Sequence, residues 1–239
     1  MDAYLGIAQS LTGRRWIGPG PEVARRAEAM AQSTGLPRPL CQTLARLGVP
    51  EAEASLYLEP SLRDLLPDPR VLRDMQTAAG RFIAAVRARQ RIAIFADYDV
   101  DGGASAALLI DWLRQMGLAA TLYIPDRIDE GYGPNEPAMA DLAATHDLII
   151  CVDCGTLSHD AIAAARGADV VILDHHLGGE TLPAALAVVN PNRQDETGDL
   201  AHLCAAAAVS LMLVEAGRQL SSEERRVGEV CCSRWSPYH

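Results

Sequence analysis

The sequence predicts an α/β domain, a parallel five-stranded sheet with flanking helices, preceded by a small helical lead-in. From Arg91 onward, short apolar runs alternate with Ala-rich segments of helical spacing, which is the pattern of βαβ units. Each connection between runs is long enough for a right-handed crossover. The region before residue 70 is punctuated by proline and carries no strand signal.

In chain order, short helical patterns run from Pro21 to Ala31, Pro37 to Leu47 and Pro50 to Leu58. The stretch Val71 to Arg89 places Leu72, Met75, Ala79, Phe82, Ile83 and Val86 near helical spacing, so it is expected to pack on the following domain. Strands are predicted at 91–96, 120–124, 147–152, 169–173 and 186–189, and helices at about 104–116, 135–144, 158–166 and 200–218. These elements divide the chain into a lead-in (1–70), a main domain (71–220) and a tail (221–239). The tail, with EERR, two adjacent cysteines and a terminal Trp-Ser-Pro-Tyr-His, shows no periodicity and resembles a translated sequencing adapter. It is expected to be a non-native or disordered segment outside the fold.

A hydrophobic fraction of 49% excludes a disordered chain. There is no apolar run of about 18 residues and no charged-then-apolar leader, so the chain is expected to be cytoplasmic, with no membrane partner. Six cysteines are sparse for 239 residues and fit a reducing compartment. The pair Cys151 and Cys154 is expected to serve packing, because no second pair of matching spacing accompanies it. A net charge of −10 argues against binding nucleic acid through a basic surface. Carboxylates gathered around divalent cations reverse that electrostatics locally, so a phosphate substrate remains compatible.

Immediately after the first strand come Asp97, Asp99 and Asp101, then Gly102, Gly103 and Ser105. Acids at strand ends of an open parallel sheet face the crevice where ligands bind. Three carboxylates so close repel one another unless a cation neutralises them, and hard divalent ions prefer oxygen ligands. The alternative is a solvated turn capping the next helix. The glycines allow close backbone approach, and Ser105 is a candidate for capping the helix or touching a phosphate. The third strand ends in Asp153 and the fourth in Asp174-His175-His176, so three successive strand ends bring metal-binding side chains to one sheet edge. Such convergence suits two Mn²⁺ or Mg²⁺ ions about 3.5–4 Å apart, with Asp153, from a middle strand, as the natural bridging carboxylate. Arg127 is the candidate phosphate clamp, since a guanidinium matches phosphate geometry; the alternative is an ion pair with Asp129 or Glu130.

The motifs DYDVDG, VDCGT and DHH, in this order and spacing, resemble those of the DHH phosphoesterase superfamily. Within it, FADYDVDGGAS, IPDRIDEGYGPN, VDCGTLS and LPAALAVVNPNR are similar to the bacterial single-strand-specific exonucleases, over about residues 37–218. The resemblance implies metal ligation by Asp99, Asp101, Asp153 and His175 with Asp97 beside them, His176 on the scissile phosphate, and Arg127, Tyr132, Gly133 and Ser105 as substrate contacts. It also implies a monomeric 5′→3′ exonuclease on single-stranded DNA, working in repair and recombination beside a single-strand-binding protein and a helicase. Other readings are a phosphoesterase acting on oligoribonucleotides or cyclic dinucleotides, and an inactive binding module. Two departures stand out. Leu203-Cys204-Ala205-Ala206-Ala207-Ala208 occupies a stretch where the family carries glycines, which keeps the helix but removes backbone access. The family's later Ala-Asp-Val-Val motif does not follow, so this chain is expected to bind metal and turn over weakly.

Overall fold

The structure, a computed structural model, describes residues 3–227, and the chain divides into two compact units, Met1–Leu66 and Pro67–His239. The first unit carries α1 (Pro21–Thr34), α2 (Arg38–Leu47), α3 (Ala54–Leu58) and α4 (Leu62–Leu65). Met30, Cys41, Leu44, Ala45 and Val49 form its core, the apolar faces of helices too short to be stable without such packing.

The second unit opens with a 3-10 turn at Pro69–Val71 and continues through α5 (Met75–Arg87), β1 (Ile92–Ala96), α6 (Val100–Gln115), β2 (Ala120–Tyr123), α7 (Glu136–Thr145), β3 (Leu148–Val152), α8 (His159–Ala164), β4 (Asp169–Leu173), β5 (Ala187–Val189) and α9 (Ala205–Val227). The five strands form one parallel sheet in the order β2-β1-β3-β4-β5. Every residue of β1 and β3 is buried, as expected of strands covered on both faces. Phe95, Ile149, Cys151 and Ile172 pack with Met139 and Leu142 of α7 and Ile162 of α8. The alternate residues of the same strands point the other way, toward the side covered by α5, α6 and α9. Cys151 and Cys154 are free and buried in the first of these layers, so the pair serves packing.

Three helices of the second unit differ from those expected by four residues or more at one end or both. The helix predicted from Val71 begins at Met75, because Asp74 is left-handed (φ 60) and turns its carboxylate to Val188 N and Arg193 Nη1. The helix predicted from 104 begins at Val100, where Asp99 takes the N-cap. The last helix starts at Ala205 rather than 200 and continues to Val227, through the first residues of the expected tail. The remainder of that tail, 228–239, lies outside the described residues.

Candidate metal centre

β1, β3 and β4 run in register, with Ala96 beside Val152 and Val152 beside Leu173. Their ladders extend one residue further: Asp97 N donates to Val152 O (3.3 Å), Asp153 N to Leu173 O (3.0 Å) and Asp174 N to Val189 O (3.0 Å). Asp97, Asp153 and Asp174 therefore form a row across the carboxyl edge of the sheet at the interstrand spacing of about 4.8 Å. All three are buried.

Buried acids need partners. Asp97 Oδ1 and both carboxylate oxygens of Asp153 have none among the described residues. Burial first, then proton sharing with Asp99, then the charges of Asp101, Asp99 and Asp174, push the Asp153 carboxyl up to about 8. With both groups ionised neither Asp153 oxygen has a hydrogen-bond partner; His175 Nε2, 3.3 Å from Oδ1, and a proton shared with Asp99 relieve this only in part. Burial likewise raises Asp97. Asp153 also has a left-handed backbone (φ 61), a strained conformation that concentrates at functional sites. A cation would satisfy these oxygens and cancel the repulsion.

The ligand geometry fits. Donor atoms of Asp97, Asp99 and Asp153 lie within 4.8 Å of one another, as do those of Asp153, His175 and His176, so Asp153 is common to both groups. His175 Nε2 is 3.3 Å from Asp153 Oδ1 and 3.7 Å from Asp101 Oδ2. Asp101 belongs to neither group. Its oxygens accept from Ala205 N and Ala206 N, so backbone of the alanine run is used after all, by a carboxylate.

α6 reaches this edge because Asp99 Oδ1 accepts from Asp101 N (2.9 Å) and Gly102 N (3.1 Å). Gly102 is needed there: a Cβ would stand 2.4 Å from Asp97 O. Since the helix begins at Val100, Ser105 lies more than one turn inside it and is fully buried. It neither caps the helix nor has surface to offer a phosphate, a correction to the sequence expectation.

His176 is oriented by Asp174, with Nδ1 donating to Asp174 Oδ1 (2.8 Å) and Nε2 left 3.1 Å from the Tyr132 hydroxyl. That hydroxyl is also 3.3 Å from Asp153 O. Gly133 turns the chain next to Tyr132 with φ 74 and sits beside Cys154. Arg127 lies over the Tyr98 ring, 5.3 Å from its centroid. Glu130, one of the two alternative partners, is taken by Tyr123, Asp126 N and Asn135, which holds its carboxyl below the usual range.

Sequence reasoning missed the residues that hold the His-His backbone. Asp174 accepts from Thr156 N, His175 N and His176 N, and these donors outweigh its burial to leave its pKa lowered. Asn190 donates to His176 O and Thr156 Oγ1, and Asn192 to His175 O. An acid directly after a strand with two free N–H groups following, and Asn-Pro-Asn just beyond another, were the available signals. Asp174→Ala is expected to lower stability by about 2–4 kcal/mol in urea unfolding, because it strands several buried donors, and Asp174→Asn by less, since an amide oxygen still accepts. Equal losses would show that the carboxylate is not the acceptor that matters.

The family model described as "DHH family, N-terminal domain" matches residues 91–231, and the chain belongs to the DHH family. Its relatives include the single-stranded-DNA-specific exonuclease RecJ of Dickeya dadantii, 42% identical over 67% of this chain and 28% of that protein. Similar solved structures include two of manganese-bound RecJ. The crystal structure of an exonuclease RecJ bound to manganese is 29% identical over 66% of this chain and 39% of that one, with a TM-score of 0.56. RecJ from Thermus thermophilus in complex with Mn²⁺ is 25% identical over 89% of this chain and 28% of that one, with a TM-score of 0.63. The chain thus spans under a third of the length of the Dickeya relative.

Proposed function

We propose that this chain carries the metal centre of a phosphodiesterase that degrades single-stranded DNA from its 5′ end. The observation that carries the reading is the buried Asp153 carboxylate, shared by two ligand groups and, among the described residues, without a hydrogen-bond partner for either oxygen. Asp99, Asp153 and His175, with Asp97 beside them and Asp101 at the edge, would hold two divalent cations, Mn²⁺ or Mg²⁺. Bound there, such ions supply Lewis acidity toward a phosphate and lower the pKa of an attacking water.

The protein's own groups supply position. Asp174 accepts from His176 Nδ1 and so fixes the ring with Nε2 beside the Tyr132 hydroxyl; of these two groups the hydroxyl is the donor that would meet a phosphate oxygen. Arg127, Tyr98 and Tyr132 form an edge of half-exposed rings and a guanidinium beside it, suited to a phosphate and an unstacked base. Gly133 lets the chain turn at that edge. That the Dickeya relative is a single-stranded-DNA-specific exonuclease supports single-stranded DNA as the polymer. The corresponding work is DNA repair and recombination in the cytoplasm, alongside a single-strand-binding protein and a helicase. Among the described residues no helix is long and apolar enough to cross a membrane.

The test is release of mononucleotides from a 5′-phosphorylated oligonucleotide with Mn²⁺, single-stranded against blunt duplex. The expected rates are slow for this chain and at least about tenfold faster on the single strand, because an acidic surface offers a duplex little phosphate contact. Equal rates would count against the single-strand reading.

A further inference from the structure

We infer that the first turn of α9 is a positioning element for the metal centre, holding Asp101 through the backbone N–H groups of Ala205 and Ala206; the inference rests on the metal centre proposed above. Asp101 Oδ2 accepts from Ala205 N at 2.8 Å and Oδ1 from Ala206 N at 2.9 Å, a two-point grip across 104 and 105 residues of sequence. The two points fix the plane of the carboxylate, and each oxygen keeps a second lone pair. Oδ2 stands 3.7 Å from His175 Nε2, beside the buried, partnerless oxygens of Asp153.

The two motif acids divide the work. Asp99 caps α6, the helix on which Asp101 itself rides, and Asp101 caps α9. Because the grip is main chain, no polar side chain at 205 or 206 is needed. Ala205 and Ala208 are fully buried, which seats the helix end. Hydrogen bonds of this outer kind fix ligand orientation, and losing one typically weakens metal binding 10- to 100-fold.

Ala206→Pro deletes one donor at the second position of the helix. This fold already accepts proline at that position, at Pro39 in α2 and Pro137 in α7. Ala206→Gly is the control: glycine weakens a helix but keeps the N–H. Mn²⁺ binding is measured by calorimetry on the full chain, with circular dichroism to verify folding. Ala206→Pro is expected to weaken Mn²⁺ binding about tenfold, and Ala206→Gly less than twofold, whereas a merely structural role would move both alike. Should Ala206→Pro not fold, amide spectra of the parent under Mg²⁺ titration decide: the Ala205 and Ala206 resonances are expected to shift along with that of His175. A folded Ala206→Pro that binds as the parent does, or Ala205 and Ala206 amides that stay still while His175 moves, would overturn the inference. A parent that binds no Mn²⁺ would overturn the metal centre itself and the inference with it.

Discussion

Gly102→Ala is expected to destabilise the second unit by about 3 kcal/mol and to abolish metal binding, whereas Gly103→Ala, one residue on, is expected to be neutral or slightly stabilising. At Gly102 a Cβ would lie 2.4 Å from Asp97 O, 2.9 Å from its carbonyl carbon and 3.0 Å from its nitrogen. These are main-chain atoms at the end of a buried strand, so no side chain can rotate away, and overpacking of this kind typically costs 1–3 kcal/mol. The first turn of α6 must move instead, carrying Asp99 and Asp101 off the row formed by Asp97 and Asp153. At Gly103 nothing lies within 4 Å, and alanine gains up to about 1 kcal/mol of helix propensity. For a chain of this size the contrast amounts to roughly 6–16 °C in Tm, read from thermal unfolding of the two variants side by side. Similar midpoints would mean that α6 does not approach β1 as described.

Asp153→Asn is expected to be more stable than the parent without metal and less stable than it with metal. In the metal-free chain the Asp153 carboxyl is pushed up to about 8, by burial first, then the Asp99 contact, then neighbouring charges. A folded-state pKa above the unfolded value of 3.8 means that the folded form binds the extra proton between these limits. The contribution is fully present below about pH 4 and is lost as the pH rises through about 8. Metal-free parent should therefore lose stability across that window. Asp153→Asn lacks this group and should exceed the parent at pH 8 by about 2 kcal/mol, a figure discounted for relaxation and coupling with Asp99. Saturating Mn²⁺, at about a hundred times its Kd, should add some 2.7 kcal/mol to the parent and nothing to the variant. Thermal unfolding at pH 5 and 8, with and without Mn²⁺, checks both signs, and parallel pH profiles would remove Asp153 as the displaced proton's site.

Apart from β2 at the exposed edge, the strands were legible because they are buried on both faces: an uninterrupted run such as Ile92 to Ala96 leaves no other place for itself, and each predicted strand lies within one residue of the observed one at either end. The starts of α5, α6 and α9 were not, since each depends on a cap or a contact. Asp99 moves the start of α6 four residues upstream into a glycine-bearing segment that reads as loop, and the Asp101 cap of α9 comes from over a hundred residues away. Asp97, Asp99, Asp153, His175 and His176 stood out by chemical type at strand ends. Asn190 and Asn192 did not, and Asp174 stood out as an acid at a strand end but not as the holder of the loop, because holding a backbone loop leaves no mark on the sequence beyond a polar residue in a turn. Ser105 misled for the complementary reason: its type suits a phosphate contact, and only the helix register turns it inward.

Calorimetry with Mn²⁺ at about pH 7.5 on the parent chain and Asp153→Asn tests the metal centre most directly. The expected result is a saturable heat in the parent that disappears, or weakens at least about a hundredfold, in the variant, because Asp153 is the one carboxylate common to both ligand groups. Binding of equal affinity and stoichiometry in both would contradict it.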